Sequence, residues 1–264
     1  MKPVAVITGA SAGIGAELAR VFADNGHSLA LVARREQRLG QLAAEIAAAG
    51  RPKPLVLPID LALPNAAAWI GNALAAHGLE PEYIVNNAGF GLIGRAAELD
   101  RAEQLAMIDL NIRALTELSL AFVESLGRRR GGVLNVASVA GFFPGPRSAV
   151  YYASKAYVLS LSEALHVEFM PLGIRVTCLC PGPVATEFQA RAGISDRDVS
   201  WPLAVSAAQV AAAGYRGLME GRRLVVPGWA NRLVASLVPR FVPRAILLKR
   251  LDSRQGHRQI TSRR

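Results

Sequence analysis

Cysteine is nearly absent: the 264 residues hold two, Cys178 and Cys180. Two thiols make neither a disulfide framework nor a four-cysteine zinc site. Lying two apart in an apolar run, they read as buried strand residues in a reducing setting, with no metal expected. Charge is also sparse, 19% against 52% hydrophobic residues, which excludes a disordered chain. No stretch reaches the roughly 18 uninterrupted apolar residues that would indicate a membrane span. The most apolar late segment, 224–248, is broken by Arg232, Pro239, Arg240, Pro243 and Arg244. At the N-terminus a single Lys2 and then Gly9, Gly13 and Gly15 argue against a cleaved signal. Internal repeats and long low-complexity linkers are missing too. The expectation is a cytoplasmic protein, at most peripheral at a membrane surface.

Acidic residues are absent from one place in particular. Of 30 basic and 20 acidic residues, the last 43 positions hold 11 and one, the single acid being Asp252. The first 221 residues therefore carry 19 of each and are neutral, and the whole net charge of +10 sits in the tail. A charge confined to a terminus indicates a tail with its own partner rather than a basic recognition surface. With little aromatic interleaving in that tail, no nucleic-acid partner is expected.

What is present is a regular alternation. Apolar runs at Pro3–Thr8, His27–Ala33, Lys53–Pro58, Glu82–Asn86, Gly132–Ala137, Ile174–Leu179 and Arg223–Val226 read as strands. Between them, helical spacing covers Gly13–Asn25, Glu36–Ala49, Pro64–Ala76, Glu98–Leu126 (one helix or two), Val150–Met170 and Val205–Glu220. Short strands alternating with longer helices imply an α/β fold, a doubly wound parallel sheet of Rossmann type with helices on both faces. The domain is expected over 1–227, with a basic extension over 228–264.

Between the first strand and first helix lies Thr8-Gly9-Ala10-Ser11-Ala12-Gly13-Ile14-Gly15. Glycines there permit a tight turn and let backbone N–H groups approach a pyrophosphate at the helix N-terminus. Arg34 follows the second strand nineteen residues past Gly15, with Arg35 beside it. An acid at that point would bind a ribose 2′-hydroxyl, whereas arginine accommodates a 2′-phosphate. NADP(H) is therefore expected over NAD(H), which the glycine loop alone would also accept.

Tyr151-Tyr152-Ala153-Ser154-Lys155 opens the helix after the fifth strand. Residues four apart share a helix face, so Lys155 accompanies Tyr151 and not Tyr152. A phenol with pKa about 10 is a poor acid–base group at neutral pH, and a nearby ammonium favours its ionised form. Ser138 ends the fifth strand, at the carboxyl edge where parallel sheets bind ligands.

With these residues in order, the chain resembles the short-chain dehydrogenase/reductase family from about residue 3 to 226. The matching positions are the Thr8–Gly15 loop, Asp60, Asn86-Asn87-Ala88-Gly89, Asn111, Ser138, Tyr151, Lys155 and Pro181-Gly182. The resemblance implies an oxidoreductase acting between a carbonyl and a secondary alcohol. Tyr151 would be general acid or base, and Lys155 would lower its pKa and bind the nicotinamide ribose. Ser138 would orient the carbonyl, and Asn111 would hold a water relaying protons to Lys155. Gly9, Ser11, Gly13, Ile14 and Gly15 would cradle the phosphates, and Asp60 would contact the adenine. Asn87, Ala88 and Gly89 would line the ribose side, while Pro181, Gly182, Val184 and Thr186 would hold the carboxamide. One departure stands out: where some NADP-preferring members carry a base in the glycine loop, this chain has Ser11 and Ala12. A catalytically silent NADP(H)-binding sensor or scaffold of the same fold is the alternative, and a homodimer or homotetramer is expected.

The substrate loop is expected over 183–202. With the earlier loops it supplies Phe90, Phe142, Phe143, Phe188 and Trp201, which either pack under a lid or face an apolar, small-molecule pocket. In the tail, Trp229, Leu233, Leu237, Phe241, Ala245 and Leu248 recur at helical spacing among arginines. Such a stripe suits peripheral membrane contact, or packing on the domain or in an oligomer interface.

Overall fold

The computed structural model describes residues 1–188 and 204–262, with side chains to residue 253. The expected Trp201 and most of the expected substrate loop lie outside the described residues.

In chain order the elements begin β1 (Lys2–Thr8), α1 (Gly13–Asp24), β2 (Leu29–Val32), α2 (Glu36–Ala48), β3 (Leu55–Leu57), α3 (Ala66–Ala76) and β4 (Leu79–Asn86). They continue with α4 (Arg101–Ile108), a π-helical turn over Asp109–Ala114, α5 (Leu115–Ala121), α6 (Val123–Arg129) and β5 (Gly132–Val136). Last come α7 (Ala149–Phe169), β6 (Arg175–Leu179), α8 (Ala207–Met219), β7 (Leu224–Val225), α9 (Trp229–Phe241) and α10 (Arg244–Ser262).

All neighbouring strands pair in parallel, in the order β3-β2-β1-β4-β5-β6-β7. Each strand is apolar on both sides because each side meets helices. Ala5, Ile7, Leu31, Val85, Leu134 and Leu179 face α1, α2 and α8. Val4, Val6, Val32, Ile84, Val133 and Val176 face α3, α5 and α7. The period-two sidedness of a strand thus yields one unbroken apolar run. From β1 the chain winds out to β3 and returns to β4 on the other side, so a crevice opens at the carboxyl ends of β1 and β4. That is where open sheets of this kind take ligands.

Most elements fall within two residues of the sequence reading, and the larger differences have physical causes. β4 starts at Leu79 rather than Glu82, because Pro81 sits beside the register shift between Val4 and Ala5, where the ladder tolerates a missing N–H. The helical stretch expected over 98–126 is four pieces, starting at Arg101 under an Asp100 cap that accepts from the Glu103 N–H and running on to Arg129. Its π-helical turn holds Asn111 buried. The tail stripe does not share one helix. Val242 precedes Pro243 and is extended (φ −98°, ψ 118°), so α9 and α10 are separate.

Candidate active site

The β1–α1 turn is shaped by contacts that leave no room for side chains. Gly9 and Gly13 adopt φ of +65° and +56°, which glycine tolerates best. A Cβ on Gly15 would lie 2.3 Å from the Gly9 carbonyl oxygen. Thr8 Oγ1 donates to Val85 O at 2.9 Å and accepts from the N–H groups of Asn87 (2.9 Å) and Ala88 (3.1 Å). Asn87 Nδ2 returns a bond to Thr8 O at 2.9 Å. The ends of β1 and β4 are thereby locked together beside the N-terminus of α1. Ala12 caps that helix without a side-chain bond, so its first N–H groups remain free of side-chain capping in the manner of a phosphate site. Asn86, first of its motif, instead faces the interior, donating to Asn135 Oδ1 and Ser119 Oγ at 2.9 and 3.0 Å.

A cavity of about 840 Å³ runs from this loop across the strand ends. Gly9, Ser11, Gly13, Ile14, Arg34, Arg35, Asp60, Asn87, Ala88 and Gly89 line one part of it. Ser138, Tyr151, Lys155, Pro181, Gly182, Val184 and Thr186 line another. Of the expected site residues, Gly15 and Asn111 stand one layer behind. The size, the tight glycine turn and the open helix terminus fit a dinucleotide. Arg34 lies 3.9 Å from Asp60, a loose pair. Arg35 is held, by Ser11 Oγ at 3.1 Å and by Glu187 at 2.7 Å.

Ser138 follows β5. Its hydroxyl accepts from the Ala140 N–H at 3.1 Å and donates to Pro181 O at 3.4 Å, fixing it at the cavity edge. Tyr151 lies in the first turn of α7 with its ring against Phe188, centroids 5.5 Å apart. Lys155 is 5% exposed; its Nζ donates to Val136 O at 2.8 Å and lies 5.9 Å from the Tyr151 ring centre. Burial pushes the Tyr151 phenol up to about 12, against the pull of a hydrogen bond with Ser138. Burial also brings Lys155 down to about 8. The expected lowering of the phenol by Lys155 is thus not seen: burial raises it instead, so Tyr151 is protonated at neutral pH, while the ammonium lies near its titration point. Asn111 clamps Phe90 from both sides, Oδ1 accepting its N–H at 3.1 Å and Nδ2 donating to its carbonyl at 2.9 Å. The same Nδ2 reaches Ser154 Oγ at 3.1 Å.

Phe90, Phe143 and Phe188 line the cavity, whereas Phe142 packs against the buried cluster to which Val158 and Cys178 belong. The two cysteines are free and buried, as expected, with sulfurs 3.7 Å apart. Sequence reasoning missed Arg38 and Glu187; the ion pairs of Glu187 with Arg35 and Arg38 (2.7 and 3.4 Å) border the phosphate side. Arg38 falls one turn beyond Arg34 and Arg35, a signal that was available. It also missed Asn231, Val234, Val238, Leu247 and Leu251, tail residues that line the cavity.

The family model for short chain dehydrogenases matches residues 3–196. Sulfoacetaldehyde reductase 2 of Chromohalobacter salexigens is 38% identical over 191 residues, 71% of this chain and 75% of that one. A very-long-chain 3-oxoacyl-CoA reductase of Pyrenophora tritici-repentis is 32% identical over 244 residues, 90% of this chain and 71% of that one. A short-chain dehydrogenase of Sphingobium yanoikuyae, solved with NADPH, superposes with a TM-score of 0.78 at 32% identity, covering 98% of this chain and 94% of that one.

Proposed function

The chain belongs to the short-chain dehydrogenase family, and from that membership we propose that it is an NADP(H)-dependent carbonyl reductase acting on apolar ketones or the corresponding secondary alcohols. The observation that carries this reading is the convergence of Ser138, Tyr151 and Lys155 on one cavity whose walls also include Phe90, Phe143, Phe188, Val234 and Leu251. A silent sensor would have no physical use for that trio. When bound, the nicotinamide supplies or accepts the hydride. The rest is done by the chain. Ser138 orients the carbonyl oxygen, and Tyr151 gives that oxygen its proton. The Lys155 ammonium steadies the phenolate left behind and holds the nicotinamide ribose. Asn111 keeps one lone pair on Oδ1 for a water passing protons to Lys155.

Arg34 is the 2′-phosphate ligand in this reading. Its side chain is 59% exposed, and its 3.9 Å pair with Asp60 is easily given up, whereas Arg35 is already engaged by Ser11 and Glu187. The apolar walls agree with the very-long-chain substrate in the name of the Pyrenophora relative. The test is a panel of ketones with NADPH and of alcohols with NADP⁺, repeated with NADH and NAD⁺. Turnover of apolar ketones supports the reading. NADPH bound without turnover of any carbonyl would support the silent alternative instead.

We infer further that the outer face of α9 meets an anionic membrane surface. Trp229, Leu233, Leu237 and Phe241 form one row there, with Trp229 68% and Phe241 74% exposed. The tail around them holds eleven bases and one acid, the charge such a surface attracts. No helix among the described residues is long and apolar enough to cross a membrane, so the contact would be peripheral.

A further inference from the structure

The one acid of the basic tail is ion-paired across the fold. Asp252 Oδ1 accepts from Arg147 Nε at 2.8 Å, a pair separated by 105 residues in sequence. Arg147 is 17% exposed at its side chain and Asp252 51%, so the pair is enclosed on the arginine's side and open to solvent on the acid's. Its backbone is also fixed. Arg147 adopts φ +60°, unusual for a residue with a side chain, and its carbonyl accepts from the Gly94 N–H at 2.8 Å. The next residue, Ser148, donates to Leu92 O at 2.9 Å. The backbone that carries Arg147 is thus held in place, and its guanidinium meets Asp252. On the same helix as Asp252, Leu247 and Leu251 face the same cavity that Tyr151 and Ser138 line. Ile246 and Leu248 point outward, 48% and 36% exposed.

The geometry points to Arg147 and Asp252 as a clasp that seats α10 over the substrate end of the cavity, making Leu247 and Leu251 the wall that selects for long apolar substrates. Both charged residues are positioning residues. The selecting contacts are the two leucines, and the activity part of the inference rests on the carbonyl reductase reading. Pro243, between the two tail helices, gives α10 a junction about which to leave. With the clasp broken, substrate meets solvent where it met leucine, and each added methylene loses its apolar environment.

Two readouts on the full chain test this. Trypsin cuts after Arg244 and Lys249, so cleavage there, followed by mass spectrometry, reports whether α10 is docked. Asp252→Asn and Arg147→Glu are each expected to speed that cleavage about fivefold, while the reversed pair Arg147→Glu with Asp252→Arg restores protection. The second readout is kcat/KM with NADPH over straight-chain methyl ketones from butanone to decanone. In the wild type it should rise roughly two- to fourfold per methylene, as burial of a CH₂ requires. In Asp252→Asn the rise should flatten through KM, with kcat for butanone unchanged and the slope recovered in the reversed pair. Equal digestion of wild type and Asp252→Asn would overturn the clasp. Faster digestion with an unaltered slope would overturn the role of the leucines as the selecting wall. If the wild type reduces none of these ketones, the reductase reading fails by that result, and the digestion alone decides the clasp.

Discussion

Replacing Lys155 with methionine is expected to stabilise the fold at neutral pH while destroying turnover. The lysine is 5% exposed and burial lowers its pKa from 10.5 to about 8. At about 1.4 kcal/mol per pH unit, holding the ammonium in the fold below pH 8 costs about 3 kcal/mol. Methionine removes that cost but leaves Val136 O without its 2.8 Å partner, a loss of about 1–3 kcal/mol. The larger figure wins, and the variant should gain about 1 kcal/mol, or about 2–4 °C in Tm for a chain of this size. The dependence on pH has a definite sign. Between pH 8 and 10.5 the folded wild type releases a proton that the unfolded chain still holds. Wild-type stability therefore rises through that window, and the advantage of the variant disappears. Tyr151, raised to about 12, works the other way above pH 10, but it does so in both proteins. Urea unfolding followed by circular dichroism at pH 7, 9 and 10.5 measures the difference. A variant less stable at pH 7, or a gap that does not narrow as pH rises, would refute the buried-charge argument.

Tyr151→Phe should keep its fold and NADPH affinity while turnover falls at least a hundredfold, the scale of a lost general acid; Tyr152→Phe is the matched control, and equal behaviour of the two would contradict the four-residue spacing. Arg34→Ala should weaken NADPH binding about ten- to a hundredfold, the value of a charge-assisted contact, and NADH binding little. Should Arg35→Ala show that selectivity instead, the 2′-phosphate assignment moves to Arg35. Leu233→Glu combined with Phe241→Glu, both facing away from the cavity, should abolish low-salt sedimentation with anionic vesicles and spare ketone turnover. A change in oligomeric state, without any vesicle binding by the wild type, would make that face a subunit interface.

Much of the fold was legible because a doubly covered parallel sheet leaves a plain mark in sequence. Val4 and Val6 bury on one face and Ala5 and Ile7 on the other, so the strand reads as a continuous apolar run. What escaped notice has no compositional mark. Pro81 reads as the end of a strand, and only the register shift beside Val4 lets β4 continue through it. The π-helical turn at Asp109–Ala114 is one displaced hydrogen-bond step within a helical pattern, yet it helps bring Asn111 to Phe90. The glycine loop and the Tyr151/Lys155 pair were legible for the opposite reason. Their geometry is local, fixed by spacing within one turn or one helix. Contacts such as Arg35 with Glu187 or Arg147 with Asp252 link segments more than a hundred residues apart, and a single sequence gives no hint of them.

The tail shows the same division on one helix. Its row of Trp229, Leu233, Leu237 and Phe241 is conspicuous in sequence because large residues recur every four positions, and that row faces outward. The inward row is Asn231, Val234, Ala235 and Val238, smaller and interrupted by an amide, and it forms part of the cavity and core. Asn231 fits there because Gly182 has no side chain: a Cβ would lie 2.4 Å from Asn231 Oδ1. Asn231 Nδ2 in turn donates to Pro227 O at 3.0 Å, tying the start of α9 to the end of the sheet region. The Pro181-Gly182 pair, expected to hold a carboxamide, is thus also the surface on which the tail rests. A chain cut after Pro227 would lose a wall of the cavity together with the basic face, and its inactivity would say nothing about membranes. Point substitutions on the outward row alter one face of α9 and leave the other in place, and so they separate the two roles that truncation would confound.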